Sequence, residues 1–201
     1  MDTLVPGLQP WNALYRRLLP PERIQEAGAA SKAVCSEAGA SEQDQTRLNM
    51  SEPNFFMMGL FKAQIPDDRK YSKRHLWLQE CDGGRYRVGF TSYSVRLLQD
   101  VYFLEWSIDP ETVVRDQQEI GEIESAKAVS SMFPPCAGKV ASFNPQLLND
   151  PSGINADNYG SGWLYEFEPA ANLLSAAEYV EFLNSAWEDA QRTIKGQVNE
   201  S

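Results

Sequence analysis

Between Tyr71 and Glu168 the chain is a succession of short apolar runs separated by turn residues, the spacing of strands rather than of long helices. His75 to Glu80 predicts a strand, Asp82-Gly83-Gly84 a turn, and the alternating run Arg85 to Thr91 the returning strand. Ser92 to Leu98 predicts a short helix, and Val101 to Trp106 a strand closed by Asp109-Pro110. Gln118 to Ser125 and Val129 to Phe133 predict two strands joined across a turn at 126–128 and stopped by Pro134-Pro135. Gly138 to Phe143 predicts another strand. Asn144 to Asn155 reads as a loop with a helical turn at Gln146–Leu148, and Gly162 to Glu168 as a last strand with Trp163, Tyr165 and Phe167 on one face. Many short strands with regular turn signals predict a sandwich or barrel.

The two ends follow a different period. Trp11, Leu14, Tyr15, Leu18 and Leu19 lie at helical spacing between Pro10 and Pro20-Pro21, which predicts a short helix. Residues 27–46 are rich in Ala, Gly, Ser, Glu and Gln and read as a linker, and Asn54 to Leu60 is an apolar cluster that covers part of the domain. At the other end, Ser175-Ala176-Ala177-Glu178 is a capping box. Tyr179, Leu183, Ala186, Trp187, Ala190 and Ile194 then form one apolar stripe, a helix of about five turns, with residues 196–201 frayed. The expected organisation is an N-terminal extension (1–69), a mainly β domain (70–169) and a C-terminal helix laid on that domain (170–201).

Composition narrows the function. The chain has 201 residues, 42% hydrophobic and 23% charged, enough for one domain with a real core. A net charge of −10 argues against nucleic-acid binding, which needs a basic face. No apolar run approaches the roughly 20 residues of a membrane span. Residues 1–6 lack the basic-then-apolar order of a secretory signal, and Glu22, Glu26 and Pro20-Pro21 interrupt the transit-peptide pattern suggested by Arg16 and Arg17. Three widely spaced cysteines without a CxxC pattern read as reduced thiols. The expected setting is therefore cytoplasmic, or the mitochondrial matrix in a eukaryote. One histidine and no clustered ligands predict no metal site, and the absence of a long unpaired apolar face predicts a monomer.

The chemistry centres on Gly121-Glu122-Ile123-Glu124-Ser125-Ala126-Lys127-Ala128-Val129. Alone, a lysine in a turn reads as a solvated turn residue. A swinging-arm carrier, however, needs an exposed primary amine on a narrow, rigid projection, which a hairpin supplies. Ala126 and Ala128 leave Lys127 open to a modifying enzyme, and Glu122, Glu124 and Ser125 can be read by it. A lipoyl group in amide linkage would reach roughly 14 Å from the lysine Cα, far enough to visit several active sites while tethered at high local concentration.

The segments Tyr71-Ser72-Lys73-Arg74-His75-Leu76-Trp77, Val88-Gly89-Phe90-Thr91-Ser92-Tyr93, Leu98-Gln99-Asp100-Val101-Tyr102-Phe103, Glu124-Ser125-Ala126-Lys127-Ala128, Ala137-Gly138-Lys139-Val140 and Tyr159-Gly160-Ser161-Gly162-Trp163-Leu164 occur in order. In that order and spacing the chain resembles the glycine cleavage system H protein family over about residues 70–169, and the capped tail helix fits as well. The resemblance implies a barrel-sandwich hybrid fold and lipoate covalently bound to Lys127. Biotin carriers differ in placing methionines on both sides of their lysine. It also implies a carrier with no catalytic residues, which takes an aminomethyl group from a pyridoxal-phosphate glycine decarboxylase. The arm then visits an aminomethyltransferase and a lipoamide dehydrogenase, and a lipoyl-attaching enzyme is a further partner. In the family the loaded arm folds back into a polar cleft of its own domain.

The chain departs from the family at that cleft. Leu76 stands where a Glu is usual, Tyr93 where His or another polar residue is frequent, and Ser131 where an acid commonly follows the lysine by four residues. These three and His75 are the candidate cleft residues. Burying a cationic amine without a carboxylate is costly, so the departures bear on protection of the arm and not on the carrier step. They also favour a second reading, an H-like lipoate-binding protein serving another pathway such as sulfur transfer. A third is a docking module without lipoate. Of the remaining candidates, His75 is expected to pack against Trp77 or to hydrogen-bond near the arm. Cys136 is expected as a buried thiol, and exchange with a lipoyl disulfide would require exposure and a lowered pKa.

Overall fold

The computed structural model describes residues 54–198. Eleven strands and four helices follow in order: β1 (Asn54–Met58), β2 (Phe61–Ile65), β3 (Lys70–Tyr71), β4 (Leu76–Glu80), β5 (Tyr86–Phe90), α1 (Ser92–Leu98), β6 (Val101–Trp106), β7 (Thr112–Val114), β8 (Gly121–Ser125), β9 (Val129–Met132), β10 (Gly138–Phe143), α2 (Pro145–Asn149), α3 (Gly153–Ala156), β11 (Tyr165–Pro169) and α4 (Ala176–Val198). A six-stranded sheet runs β3-β4-β5-β11-β10-β7, a three-stranded sheet β6-β8-β9, and β1-β2 form a hairpin of their own. All the strand pairings are antiparallel. The mainly β architecture with a C-terminal helix is thus the one expected. Among the described residues no helix is long and apolar enough to cross a membrane.

Alternation along β4 serves two cores. Leu76 and Leu78 join one buried cluster with Val88, Val101, Ile120, Ile123, Met132, Val140, Leu164 and Phe167, which lies between the larger sheet and the three-stranded sheet. Trp77, on the opposite face, joins a second cluster with Phe56, Ile65, Tyr71, Tyr93, Tyr179 and Leu183. That cluster is roofed by β1, β2 and α4. Gly89 lies opposite Trp77 in the ladder, and a Cβ there would overlap the indole, so only glycine lets the ring lie across β5.

The structure revises several expectations. Residues 54–65, assigned above to the extension, form the β1–β2 hairpin, and its inward residues Phe56, Ala63 and Ile65 are buried against α4 and α1. The strands at Val101–Trp106 and Gly138–Phe143 keep their predicted bounds, the others shift or contract at one end or both, and β3, β7 and α3 are additional. Trp163 does not share the inner face with Tyr165 and Phe167. It precedes β11, where alternation does not reach it, and it packs on the second cluster with the Arg87 guanidinium 5.0 Å from its ring. The helix expected around Trp11–Leu19 and the linker over 27–46 lie outside the described residues.

Candidate functional site

Lys127 occupies the tip between β8 and β9 and is exposed, as is Ala126, while Ala128 is half-buried. Glu124 pairs with Val129 and Glu122 with Ser131. The tip is not a primed hairpin turn, since none of residues 126–128 is among those with positive φ. The buried Ser125 closes it instead. Its N–H donates to the Ala128 carbonyl at 3.0 Å and its hydroxyl to the same carbonyl at 3.1 Å. Its Oγ also accepts from the Lys127 and Ala128 N–H groups, each at 3.4 Å. A side-chain oxygen thus does locally what a glycine backbone does in a tighter turn.

The outer face of the three-stranded sheet leads up to the lysine. Glu122 and Glu124 point to the same side, because residues two apart share a face. Across the ladder Glu122 faces Glu105 on β6 and Glu124 faces Phe103. Two like charges directly opposite each other oppose folding. Glu105 is exposed and Glu122 half-buried, so water and salt screen the pair in part.

Of the four cleft candidates, the structure brings two together. His75 and Tyr93 lie in the second cluster beneath α4, with ring centroids 4.6 Å apart. Leu76 points the other way into the main core. Ser131 sits half-buried on β9 opposite Glu122. His75 is 4% exposed, and its Nδ1 lies 2.9 Å from the Tyr179 hydroxyl. Its ring packs on Tyr93, Tyr179 and Phe182 rather than on Trp77. Removal from water disfavours the imidazolium and pushes the pKa down to about 3. Cys136 is buried as expected, and burial pushes its thiol pKa up, the opposite of what disulfide exchange requires. Among the described residues no group of three or more His, Cys, Asp or Glu gathers as a metal-binding set.

Two long-range contacts hold the tip and the strand beside it. The Asp100 carbonyl accepts the Ala126 N–H at 2.8 Å. The Asn155 side chain holds both backbone groups of Val101. Neither contact has a local sequence signal, because one uses a main-chain atom and the other joins a short helix to a strand 54 residues away.

The sequence model of the glycine cleavage H-protein family matches residues 69–188, more than half of the chain. The glycine cleavage system H protein of Nocardia farcinica is 37% identical over 126 residues, which cover 58% of this chain and 95% of the relative. That of Myxococcus xanthus is 38% identical over 127 residues, covering 61% and 97%. A crystal structure of a glycine cleavage system H protein from Mycobacterium marinum superposes with a TM-score of 0.52 at 36% identity, covering 58% of this chain and 97% of that one. With the main core, the lysine hairpin and the capped start of the tail helix falling inside the matched span, the chain belongs to the glycine cleavage H-protein family.

Proposed function

We propose that this chain is the lipoyl carrier of a glycine cleavage system, with lipoate in amide linkage to Nζ of Lys127. The observation that carries the reading is the hairpin tip: an exposed lysine between small neighbours, held by the Ser125 side chain. Bound there, lipoate supplies the sulfur chemistry that carries an aminomethyl group among the glycine decarboxylase, the aminomethyltransferase and the lipoamide dehydrogenase. The protein's own part is positional. Paired β8 and β9 hold the lysine Cα away from the domain, Ala126 and Ala128 leave the amine open, and Glu122 and Glu124 flank the approach for a basic attaching enzyme. In this reading residues 70–169 are the carrier domain.

Incubation of the full chain with lipoate, ATP and a lipoate ligase should yield a single modified species in an intact-mass spectrum. Lys127→Arg should yield none. Unmodified parent protein, or equal modification of the variant, would refute the assignment. Glycine-dependent bicarbonate exchange with the decarboxylase separates glycine cleavage from another pathway: lipoylated protein that supports no exchange is not an H protein in function.

A further inference from the structure

The Lys127 turn is braced from outside its own hairpin. Ala126 N–H donates to the Asp100 carbonyl, so the tip's position depends on where residues 99–101 are held. On one side Gln99 ends α1 with φ 62° and ψ −142°, a left-handed conformation that favours glycine, while its N–H closes the helix on the Val95 carbonyl at 2.9 Å. On the other side Val101 begins β6, the outer strand of its sheet, with no strand beyond it among the described residues. Its N–H donates to Asn155 Oδ1 at 3.1 Å and its carbonyl accepts from Asn155 Nδ2 at 2.9 Å. A side-chain amide has one acceptor and a donor arranged like a peptide group, so Asn155 completes the ladder where a strand is missing. Tyr102 is then bulged out between the paired residues Val101 and Phe103 and is 59% exposed. The ladder is therefore irregular one residue beyond the brace, and Asn155 supports Val101 from the open edge, opposite its pairing with Ser125. Asn155 is itself fixed, because Ile154 beside it is fully buried in the main core.

We infer that Asn155 is a positioning residue for the carrier lysine, acting through Val101, Asp100 and Ala126 to keep the tip in the one geometry that its enzymes accept. The inference rests on Lys127 being the attachment point. Loosening the brace lowers the fraction of chains with a competent tip, and the apparent affinity of an enzyme falls by that fraction. With two hydrogen bonds lost, Asn155→Ala should raise the KM of the full chain in ligase-catalysed lipoylation roughly tenfold and leave kcat unchanged. Amide exchange at Val101 and Ala126 should accelerate by a similar factor, with β10 and β11 unaffected. Ile154→Val, in the same short helix, should lower the melting temperature without changing KM. Asn155→Asp keeps the acceptor for Val101 N–H but sets a carboxylate oxygen against the Val101 carbonyl, so it should raise KM as well; it carries the test if Asn155→Ala does not fold.

A parent-like KM in these Asn155 variants would overturn the inference, as would uniform acceleration of exchange or an equal KM rise in Ile154→Val. A parent chain that takes up no lipoate would overturn the attachment reading instead. The exchange pattern at Ala126 would still decide whether Asn155 holds the tip.

Discussion

Ser125 and His75 show how single residues are set by neighbours of very different sequence distance. Ser125 acts within three positions, and Ser125→Ala removes the Oγ that accepts from the Lys127 and Ala128 N–H groups. Loss of about 1 kcal/mol in urea unfolding is expected, with slower lipoylation of a folded protein. His75 instead meets Tyr179, 104 residues away. Its folded pKa of about 3 lies below the ordinary 6.5, so the folded state binds fewer protons than the unfolded chain in the interval between. The stability this contributes is full above pH 6.5 and is lost as pH falls toward 3. At pH 5 the loss is about 2 kcal/mol. Urea unfolding at pH 7.5 and pH 5 should show it, and His75→Asn, which tolerates the residue's φ of 60°, should show a smaller difference. The place of Lys127 at a turn between two strands was legible from its immediate neighbours because the turn is encoded locally. The partner of His75 was not, because nothing near residue 75 encodes a contact with the tail helix.

At the scale of elements, local codes read well where they are self-sufficient. The capping box at α4 forms as its sequence requires. Ser175 N–H donates to the Glu178 carboxylate at 2.7 Å and Glu178 N–H to Ser175 Oγ at 3.3 Å, and the Ser175 hydroxyl, followed by its N–H, holds the Glu178 carboxyl below its usual pKa by donating to it. Ser175→Ala should cost about 1 kcal/mol, measured by thermal or urea unfolding. The helix α1 and strand β10 likewise match their sequence patterns residue for residue. The three-residue β7 did not announce itself, because it exists through pairing with Gly138, Lys139 and Val140 rather than through alternation of its own. The β1–β2 hairpin also carries a local pattern, but its apolar residues resembled a covering cluster until pairing put Phe56, Ala63 and Ile65 on one inward face.

At the scale of the molecule, that hairpin and α4 close the second core over the outer face of β4. Phe56 is 3% exposed and its ring meets Tyr93 and Trp187 at 5.8 Å and 6.0 Å. Phe56→Ala should therefore destabilise the protein by about 3 kcal/mol. The same variant should still be lipoylated at a temperature where it is folded, because the Lys127 hairpin belongs to the other sheet. Unfolding curves and intact-mass spectra on one preparation test both statements. The sequence by itself determined the β-rich class, the order of most elements, the capped tail helix and the lysine at a hairpin tip, since each depends on periodicity or on residues within a few positions. Tertiary packing settled which face of β4 each side chain serves, that His75 and Tyr93 lie under α4 apart from Leu76, that the Asp100 carbonyl meets the lysine hairpin and that Asn155 holds Val101 beside it. Those contacts join residues far apart in the chain through main-chain atoms and packing, for which no local pattern exists.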